Sequence, residues 1–365
     1  MRMLLKFSLI SSVLFLFTFN TTAALDHIVI IPWGPDDLAI HKYRYESQTD
    51  ASQLNGWQLL DKILGERNPS LKLMTSNLAE YDPTNPYTDF FKNTKYLIFC
   101  NLPTWIPDWT KKIHRFPIKK SILITWEPPS VMPEMFEKKT LAYYDKVLTW
   151  DDSLIDNVKF FKFCYPVLQP MIHPIVPFSQ KKLLTQISGR KTSTHSHELY
   201  SERLKAIEFF ENERCNDFDF YGPGWENLGY KNYKGAPKDK FATLKNYKFS
   251  ICYENITNIK GYITEKIFDC FHAGVVPIYW GATNVADYIP KNCFIAREDF
   301  SSFQELVDYL RNMKEDEYNA YLKNIRSYLQ GPQAKLFSHE AFASSILHLM
   351  DTANRLSSFP YLLTK

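Results

Sequence analysis

One stretch of the sequence, residues 249–290, constrains the fold more than any other. It reads FSICYENITNIKGYITEKIFDCFHAGVVPIYWGATNVADYIP. A short apolar run leads into a polar loop, then into a helical segment that opens at Thr264, and then into a second apolar run that ends before Gly281. Strand, crossover helix and strand in this order predict a βαβ unit with two parallel strands.

The first turn of the predicted helix carries an unusual pair of charges. Glu265 is followed by Lys266, and a cation is unfavourable there because a helix N-terminus already carries about half a positive charge. Unpaired backbone N–H groups and a nearby ammonium together make a phosphate site. We therefore predict that an anion lies at this N-terminus, with Thr264 as the N-cap.

The rest of the chain alternates strand-like and helical patterns. Runs rich in β-branched and aromatic residues predict strands at 27–33, 96–100, 121–126, 146–150, 181–187 and 218–221, the first of them central in its sheet. Apolar spacing of the helical kind predicts helices at 54–64, 199–212, 303–313, 315–329 and 339–355. This alternation predicts parallel α/β sheets with helices on both faces.

The chain has the length of two domains, and its prolines indicate where they divide. Four prolines fall within residues 166–177, a density that neither a helix nor a central strand tolerates. We expect Rossmann-like domains at 25–174 and 175–335, and a closing helix within 336–365. Ligands of such folds bind at the carboxyl ends of the strands, where Glu127, Glu254 and Glu265 are predicted to lie.

The N-terminus has the pattern of an export signal. Arg2 and Lys6 precede an uncharged run at 7–24 that ends in small residues. Its Ser, Thr and Asn content makes it a poor membrane span, so we expect residues 1–24 to be a cleaved signal peptide or a short retained signal anchor. Export would permit disulfides among the six cysteines, but the apolar surroundings of Cys100, Cys252 and Cys270 favour buried thiols.

Composition and spacing argue against two classes of function. A net charge of +3 is too small to predict nucleic-acid binding. No Cys/His cluster has metal-ligand spacing. Asp217 and Asp219 spell a DxD motif, but they alternate about Phe218 within a strand, which favours a structural role. The 16% aromatic content suits a sugar binder and also suits ordinary core packing, and both alternatives stay open for Trp105, Trp109 and Trp126.

With these residues in view, the sequence resembles the family-10 glycosyltransferases, the alpha-1,3/4-fucosyltransferases. The resemblance is carried by Phe249, Cys252, Tyr253, Glu254, Asn255, Tyr262, Ile263, Thr264, Glu265, Lys266, Val276, Pro277, Ile278, Gly281 and Pro290. It extends over about 181–329 and is thinner in the first half, where it rests mainly on the run SILITWEPPS at 121–130.

The resemblance implies a GT-B fold, in which an N-terminal acceptor-binding domain and a C-terminal GDP-fucose-binding domain face each other across a cleft. It also implies inverting transfer of fucose to a glycan hydroxyl, with Glu127 as the base, Glu265 on donor hydroxyls and Lys266 on phosphate. Glu254, Asn255, Tyr262 and Thr264 are the further donor-site residues. No cofactor or metal is expected in the site, with a divalent ion at most assisting product release.

Three further expectations follow from the resemblance. The family's diphosphate-binding Arg aligns loosely here, and Arg203 is the first choice, with Arg190 and Lys191 as alternatives. GDP-fucose and a glycan are the expected partners, with membrane association only through an uncleaved N-terminus, in the secretory pathway or Golgi of a eukaryote or exported from a bacterium. The alternative function is a catalytically inactive nucleotide-sugar or glycan-binding protein on the same fold. Independently of the resemblance, Asp151 and Asp152 follow the predicted strand at 146–150 and either touch the acceptor or cap the next helix.

Overall fold

The computed structural model describes residues 26–33, 54–75, 93–104, 121–212 and 217–350. The predicted signal segment at 1–24 lies outside these ranges, as do Trp105, Trp109 and Cys215. Within the described ranges, none of the helices combines the length and the apolar character that crossing a bilayer requires.

The first half of the chain forms a six-stranded parallel sheet. Its strands are β1 (Asp26–Ile31), β2 (Leu71–Thr75), β3 (Thr94–Cys100), β4 (Ser121–Thr125), β5 (Lys146–Thr149) and β6 (Phe160–Lys162), in the order β2-β1-β3-β4-β5-β6. The prediction that the first strand is central is wrong, because β1 lies second from the edge. Neither β2 nor β6 was predicted: β2 alternates buried and exposed residues at the sheet edge, and β6 has only three residues.

Helices from both ends of the chain cover this first sheet. Helix α1 (Gly56–Arg67) begins at Asn55, whose side chain caps it in a capping box with Gln58, and α2 (Lys138–Leu141) is a single turn. The last described helix, α8 (His339–Leu349), packs Phe342, Ala343 and Ile346 into the same core as α1. The C-terminal part of the chain therefore returns to the first sheet.

The second half forms a five-stranded parallel sheet with the predicted βαβ unit at its centre. Its strands are β7 (Lys182–Ile187), β8 (Phe218–Tyr221), β9 (Tyr247–Ile251), β10 (Val276–Tyr279) and β11 (Ile295–Ala296), in the order β11-β10-β9-β7-β8. Its helices are α3 (Tyr200–Asn212), α4 (Lys240–Leu244), α5 (Glu265–Ala273), α6 (Phe303–Asn312) and α7 (Glu315–Gln330). Strands β9 and β10, which precede and follow α5 in the chain, pair in parallel, which confirms the predicted βαβ unit.

The two halves are joined by an apolar contact and a polar one. The loop before α5 places Tyr262 against Trp150 of the first half, with ring centroids 4.6 Å apart. Asp152, after β5, accepts hydrogen bonds from Asn284 Nδ2 (2.8 Å) and the Tyr288 hydroxyl (2.7 Å) of the second half, and it pairs with Lys162. Asp152 therefore neither caps a helix nor lines the cavity described below; it joins the domains.

The predicted structural roles of the DxD motif and the thiols are also visible. Asp219 pairs with Lys182 Nζ (2.6 Å) and accepts from the Tyr247 hydroxyl (2.7 Å), while Phe218 is buried. The five described cysteines are buried and free. In the described ranges there is no group of three His, Cys, Asp or Glu side chains that could hold a metal ion.

Candidate functional site

A cavity of about 430 Å³ lies where the carboxyl ends of both sheets meet, which is the size of an ordinary small-molecule site. The first half contributes Trp126, Glu127 and Tyr165. The second half contributes the ends of β7 and β9 and the residues that follow them, one face of α3 and α4, and the start of α5. Among these residues are Gln186, Ser188, Gly189, Lys191, Arg203, Lys240, Tyr253, Asn255, Tyr262, Thr264, Glu265 and Lys266.

Glu127 is held at the cavity by a residue that the sequence analysis missed. Asn101 follows β3 with a left-handed φ of 61°, a conformation that Asn tolerates better than most residues. Its Oδ1 accepts from the backbone N–H groups of Trp126 (2.7 Å) and Glu127 (3.0 Å). An Asn directly after a strand was the available signal.

The environment of Glu127 suits a proton acceptor. Burial raises the pKa of its carboxyl, and the ammonium groups of Lys266 and Lys191 offset part of that rise. A carboxylate with a raised pKa in a cleft is a candidate general base.

A carboxylate of the protein itself lies at the N-terminus of α5, and the phosphate site predicted there stays a prediction. Glu254 is fully buried and accepts from the backbone N–H and the hydroxyl of Thr264, both at 2.8 Å. The Glu254 carboxylate also forms a salt bridge with Lys266 Nζ, at 3.2 Å. Glu254 thus lies behind the cavity wall, outside the lining, and orients two residues that form it. Thr264 is the N-cap, as predicted.

Glu265 and Lys266 are both ionised in this arrangement. Burial would raise the pKa of Glu265, but the Lys266 and Lys240 ammoniums outweigh it and lower that pKa to about 2. Burial would lower the pKa of Lys266, and the Glu254 and Glu265 carboxylates reverse this and raise it. Lys240, another lining residue that the sequence analysis missed, is itself paired with Asp269.

Arg203 is a buried lining cation that has no carboxylate partner among the described residues. Its side chain is buried, and Nη2 donates to the Tyr253 carbonyl (2.6 Å) and Asn255 Oδ1 (3.0 Å). It forms no salt bridge within the part of the chain that the structure describes. A buried charge is costly unless it is paired, so this guanidinium is suited to meet an anion in the cavity.

The structure also distinguishes between Lys191 and Arg190, the two alternatives to Arg203 as the diphosphate-binding residue. Lys191 is exposed and lines the same cavity, whereas Arg190 lies outside the lining. Asn255 connects Arg203 to Tyr262, since its Nδ2 donates to the Tyr262 hydroxyl at 3.4 Å, and Tyr262 packs against Trp150 of the first half. Tyr165, whose hydroxyl donates to the Trp126 carbonyl, had no signal in the sequence.

The geometry therefore gives one cavity with a proton acceptor on the first half and cations on the second. Such an arrangement can activate a hydroxyl at one end while it stabilises a departing anionic group at the other.

Two facing parallel sheets with the cavity between their strand ends make this a GT-B glycosyltransferase fold. A solved alpha1,3-fucosyltransferase with GDP-fucose has the same fold, with a TM-score of 0.53 at 16% identity over 89% of this chain and 91% of that one. Residues 179–354, just under half of the chain, match the model "Glycosyltransferase family 10 (fucosyltransferase) C-term". This segment of the chain is therefore similar to the C-terminal domain of family 10, the fucosyltransferases.

The chain is also similar to individual fucosyltransferases over shorter stretches. The alpha-(1,3)-fucosyltransferase FucT of Helicobacter pylori is 44% identical over 86 residues, which are 23% of this chain and 17% of that protein. The alpha-(1,4)-fucosyltransferase of Arabidopsis thaliana is 40% identical over 83 residues, 21% of this chain and 20% of that protein. The chain thus spans about a fifth of the length of these relatives.

Proposed function

We propose that the protein transfers L-fucose from GDP-fucose to a hydroxyl of a glycan, with inversion at the anomeric carbon, forming an alpha-1,3 linkage to a GlcNAc-type residue. The observation that carries the proposal is the cavity itself, in which Glu127 of the first half faces Arg203 and Lys266 of the second. The family-10 domain and the names of the relatives support the donor and the linkage.

In the proposed reaction each residue has one task. The acceptor hydroxyl attacks the anomeric carbon as its proton passes to the Glu127 carboxylate. The bond from that carbon to the diphosphate oxygen breaks, and GDP departs with its electron pair. Arg203 and Lys266 stabilise the negative charge that develops on the diphosphate. Glu265, ionised throughout the physiological range, accepts hydrogen bonds from donor hydroxyls.

The remaining residues of the site hold these in position. Glu254 fixes the first turn of α5 and the ammonium of Lys266. Asn255 and Tyr262 connect Arg203 to the first-half wall. We propose that this chemistry takes place without a cofactor or metal in the site, with a divalent ion at most assisting product release. We also propose an exported or secretory location, directed by residues 1–24.

The test is donor turnover by the purified chain. With GDP-fucose and a panel of N-acetyllactosamine-type acceptors, we expect acceptor-dependent release of GDP and a fucosylated product detected by mass spectrometry. GDP binding without transfer or donor hydrolysis would support the alternative of an inactive nucleotide-sugar-binding protein.

The substitution Glu127→Gln tests whether Glu127 is the general base. A positioned general base contributes about 100-fold to 10,000-fold, so we expect transfer to fall by about that factor. GDP affinity, measured by calorimetry, should be unchanged, because the nucleotide is held by the second half. Glu134→Gln changes an exposed carboxylate of the same half and should leave both quantities at wild-type values. A parallel loss of GDP affinity in Glu127→Gln would contradict this assignment.

A further inference from the structure

One side-chain acceptor in the cavity wall has no partner. Gln186, in β7, is 1% exposed and lines the cavity. Its amide nitrogen is fully engaged, with Nε2 donating to Ser188 Oγ (2.9 Å) and to the Arg203 carbonyl (3.3 Å). Its Oε1 is buried and accepts no hydrogen bond from any residue that the structure describes.

The orientation of this amide is fixed by chemistry. The Arg203 carbonyl can only accept a hydrogen bond, so the –NH₂ group must face it and the oxygen must lie on the other side. Rotating the amide by half a turn would set two carbonyl oxygens against each other. Oε1 is therefore available only to a hydrogen-bond donor that is not among the described protein groups.

A second lining residue has a buried polar atom but is directed elsewhere. The Tyr253 hydroxyl is also buried, which raises its pKa, and it lies beside the Arg297 guanidinium, which offsets part of that rise. The ring of Tyr253 packs edge-on against Trp280, with centroids 5.7 Å apart, and Trp280 does not line the cavity. Gln186 is the stronger candidate for contact with a ligand.

A buried carbonyl left without a donor destabilises the unliganded protein, and the ligand that supplies the donor recovers this free energy. Gln186 belongs to the second half and is bonded to Arg203, the proposed diphosphate ligand, whereas the proposed base lies on the first half. Its position beside Arg203 and on the half opposite the base favours a donor group from the nucleotide part of the ligand. Guanine presents its N1–H and 2-amino groups, and ribose presents its hydroxyls.

We propose that Gln186 is a specificity-determining residue, whose Oε1 accepts a hydrogen bond from a guanine N–H or a ribose hydroxyl of the bound nucleotide. This inference rests on the proposed function, since it takes the nucleotide of GDP-fucose as the ligand. The proposal also means that the pocket rejects nucleotides without a donor group opposite Gln186, because the buried Oε1 would then stay without a hydrogen bond.

The test uses the wild-type chain and a set of GDP analogues in which donors are removed. Calorimetry would compare GDP with inosine diphosphate, which lacks the 2-amino group, with 2-aminopurine riboside diphosphate, which lacks N1–H, and with 2′-deoxy-GDP and 3′-deoxy-GDP. We expect the dissociation constant to be about tenfold larger for the analogue that lacks the contacting group. The identity of that analogue distinguishes base from ribose.

The substitution Gln186→Met then shows whether the residue itself is responsible. Methionine has similar volume and no hydrogen-bonding oxygen, so GDP should bind about tenfold more weakly, and the penalty for the sensitive analogue should disappear. Gln180→Met, at an exposed position outside this cavity, is the matched control and should keep the wild-type pattern.

Two outcomes would overturn the inference while the proposed function stands. One is equal wild-type affinity for GDP and all four analogues, a result that needs no substitution and does not depend on the folding of Gln186→Met. The other is a Gln186→Met chain that binds every nucleotide more weakly by the same factor and keeps the analogue penalty, which would indicate a structural role. Failure of the wild type to bind GDP at all would instead overturn the proposed function.

Discussion

Three glutamates around the cavity show how the surroundings of a residue decide its chemistry. Burial raises the pKa of Glu127 and of Glu254, each with partial compensation by Lys266. Glu265, next to Lys266 and near Lys240, has its pKa lowered to about 2. The same side chain can thus serve as a proton acceptor, an internal counterion or a permanently charged hydrogen-bond acceptor.

The raised pKa of Glu127 predicts the pH dependence of transfer. The proposed base must be deprotonated to accept the hydroxyl proton, so activity is present above its pKa and is lost as the pH falls through it. We expect kcat/KM to fall about tenfold per pH unit on the acid side, with a midpoint above the ordinary glutamate value of 4.5. A pH–rate profile checks this, and a midpoint at or below 4.5 would exclude Glu127 as the group that titrates.

The cations of the cavity are expected to differ in their contribution to GDP binding. Charge-assisted hydrogen bonds contribute about 1.5–3 kcal/mol, so Lys266→Ala and Arg203→Met should each weaken GDP binding by about 10-fold to 150-fold. We expect the larger loss for Arg203→Met, because Lys266 is already neutralised by Glu254 and Glu265.

Calorimetric titration with GDP measures both losses. Lys205→Ala removes an exposed cation of the same helix as Arg203 and should bind GDP like the wild type. A folded Arg203→Met chain with wild-type affinity would show that Arg203 does not meet the diphosphate.

At the scale of elements, the βαβ unit is stabilised through the packing of its own loop. Glu254, at the end of β9, reaches the first turn of α5 and also lies against Gly281 after β10. A Cβ on Gly281 would come within 2.5 Å of Glu254 Cγ and 2.6 Å of the Tyr279 hydroxyl. The glycine of this motif is therefore required by the close approach of Glu254, which in turn places Thr264 and Lys266.

Replacing Glu254 should destabilise the protein as well as the site. Glu254→Gln keeps an oxygen for the Thr264 N–H but removes the counterion of Lys266, and we expect a loss of about 1.5–3 kcal/mol in the free energy of unfolding. Urea denaturation measures it. Glu202→Gln, which breaks the exposed pair with Lys205 on α3, should cost about 0–0.5 kcal/mol; equal effects of the two substitutions would contradict the role given to Glu254.

At the scale of the whole molecule, the cavity exists because the two halves are held in one arrangement. Tyr262 packs into the first half, helix α8 returns to the first sheet, and Asp152 joins Lys162 to Asn284 and Tyr288 across the boundary. Gly261 allows the close approach, since a Cβ there would lie 2.3 Å from the Trp150 carbonyl oxygen.

The Asp152 contacts can be tested by removing them. Asp152→Ala leaves Lys162, whose side chain is 10% exposed, without its carboxylate, and loss of the charge-assisted hydrogen bonds of this partly buried pair costs about 1.5–3 kcal/mol. We expect that loss in urea denaturation, together with faster proteolysis in the proline-rich segment at 166–177. Asp156→Ala, at an exposed turn of the first half, should not change that cleavage; unchanged cleavage in Asp152→Ala as well would show that the halves are held by other contacts.

Much of the fold and part of the site could be predicted from local patterns. The strands that read as continuous apolar runs, the helix that begins at Thr264 and the βαβ unit around it depend on periodicity and capping, which act over a few residues. Strand β2 was missed because it is short and half exposed, and the sheet order that moves β1 away from the centre depends on pairing between distant segments.

The sequence by itself determined that charged residues would lie at strand ends and that Thr264 would cap the N-terminus of α5. Only the tertiary structure decided that Glu254 lies against that N-terminus, that Asn101 positions Glu127, and that Arg203 has no carboxylate partner among the described residues. The reason is that these properties are set by distances between segments far apart in the chain, and by burial, which changes the free energy of a charge according to what surrounds it.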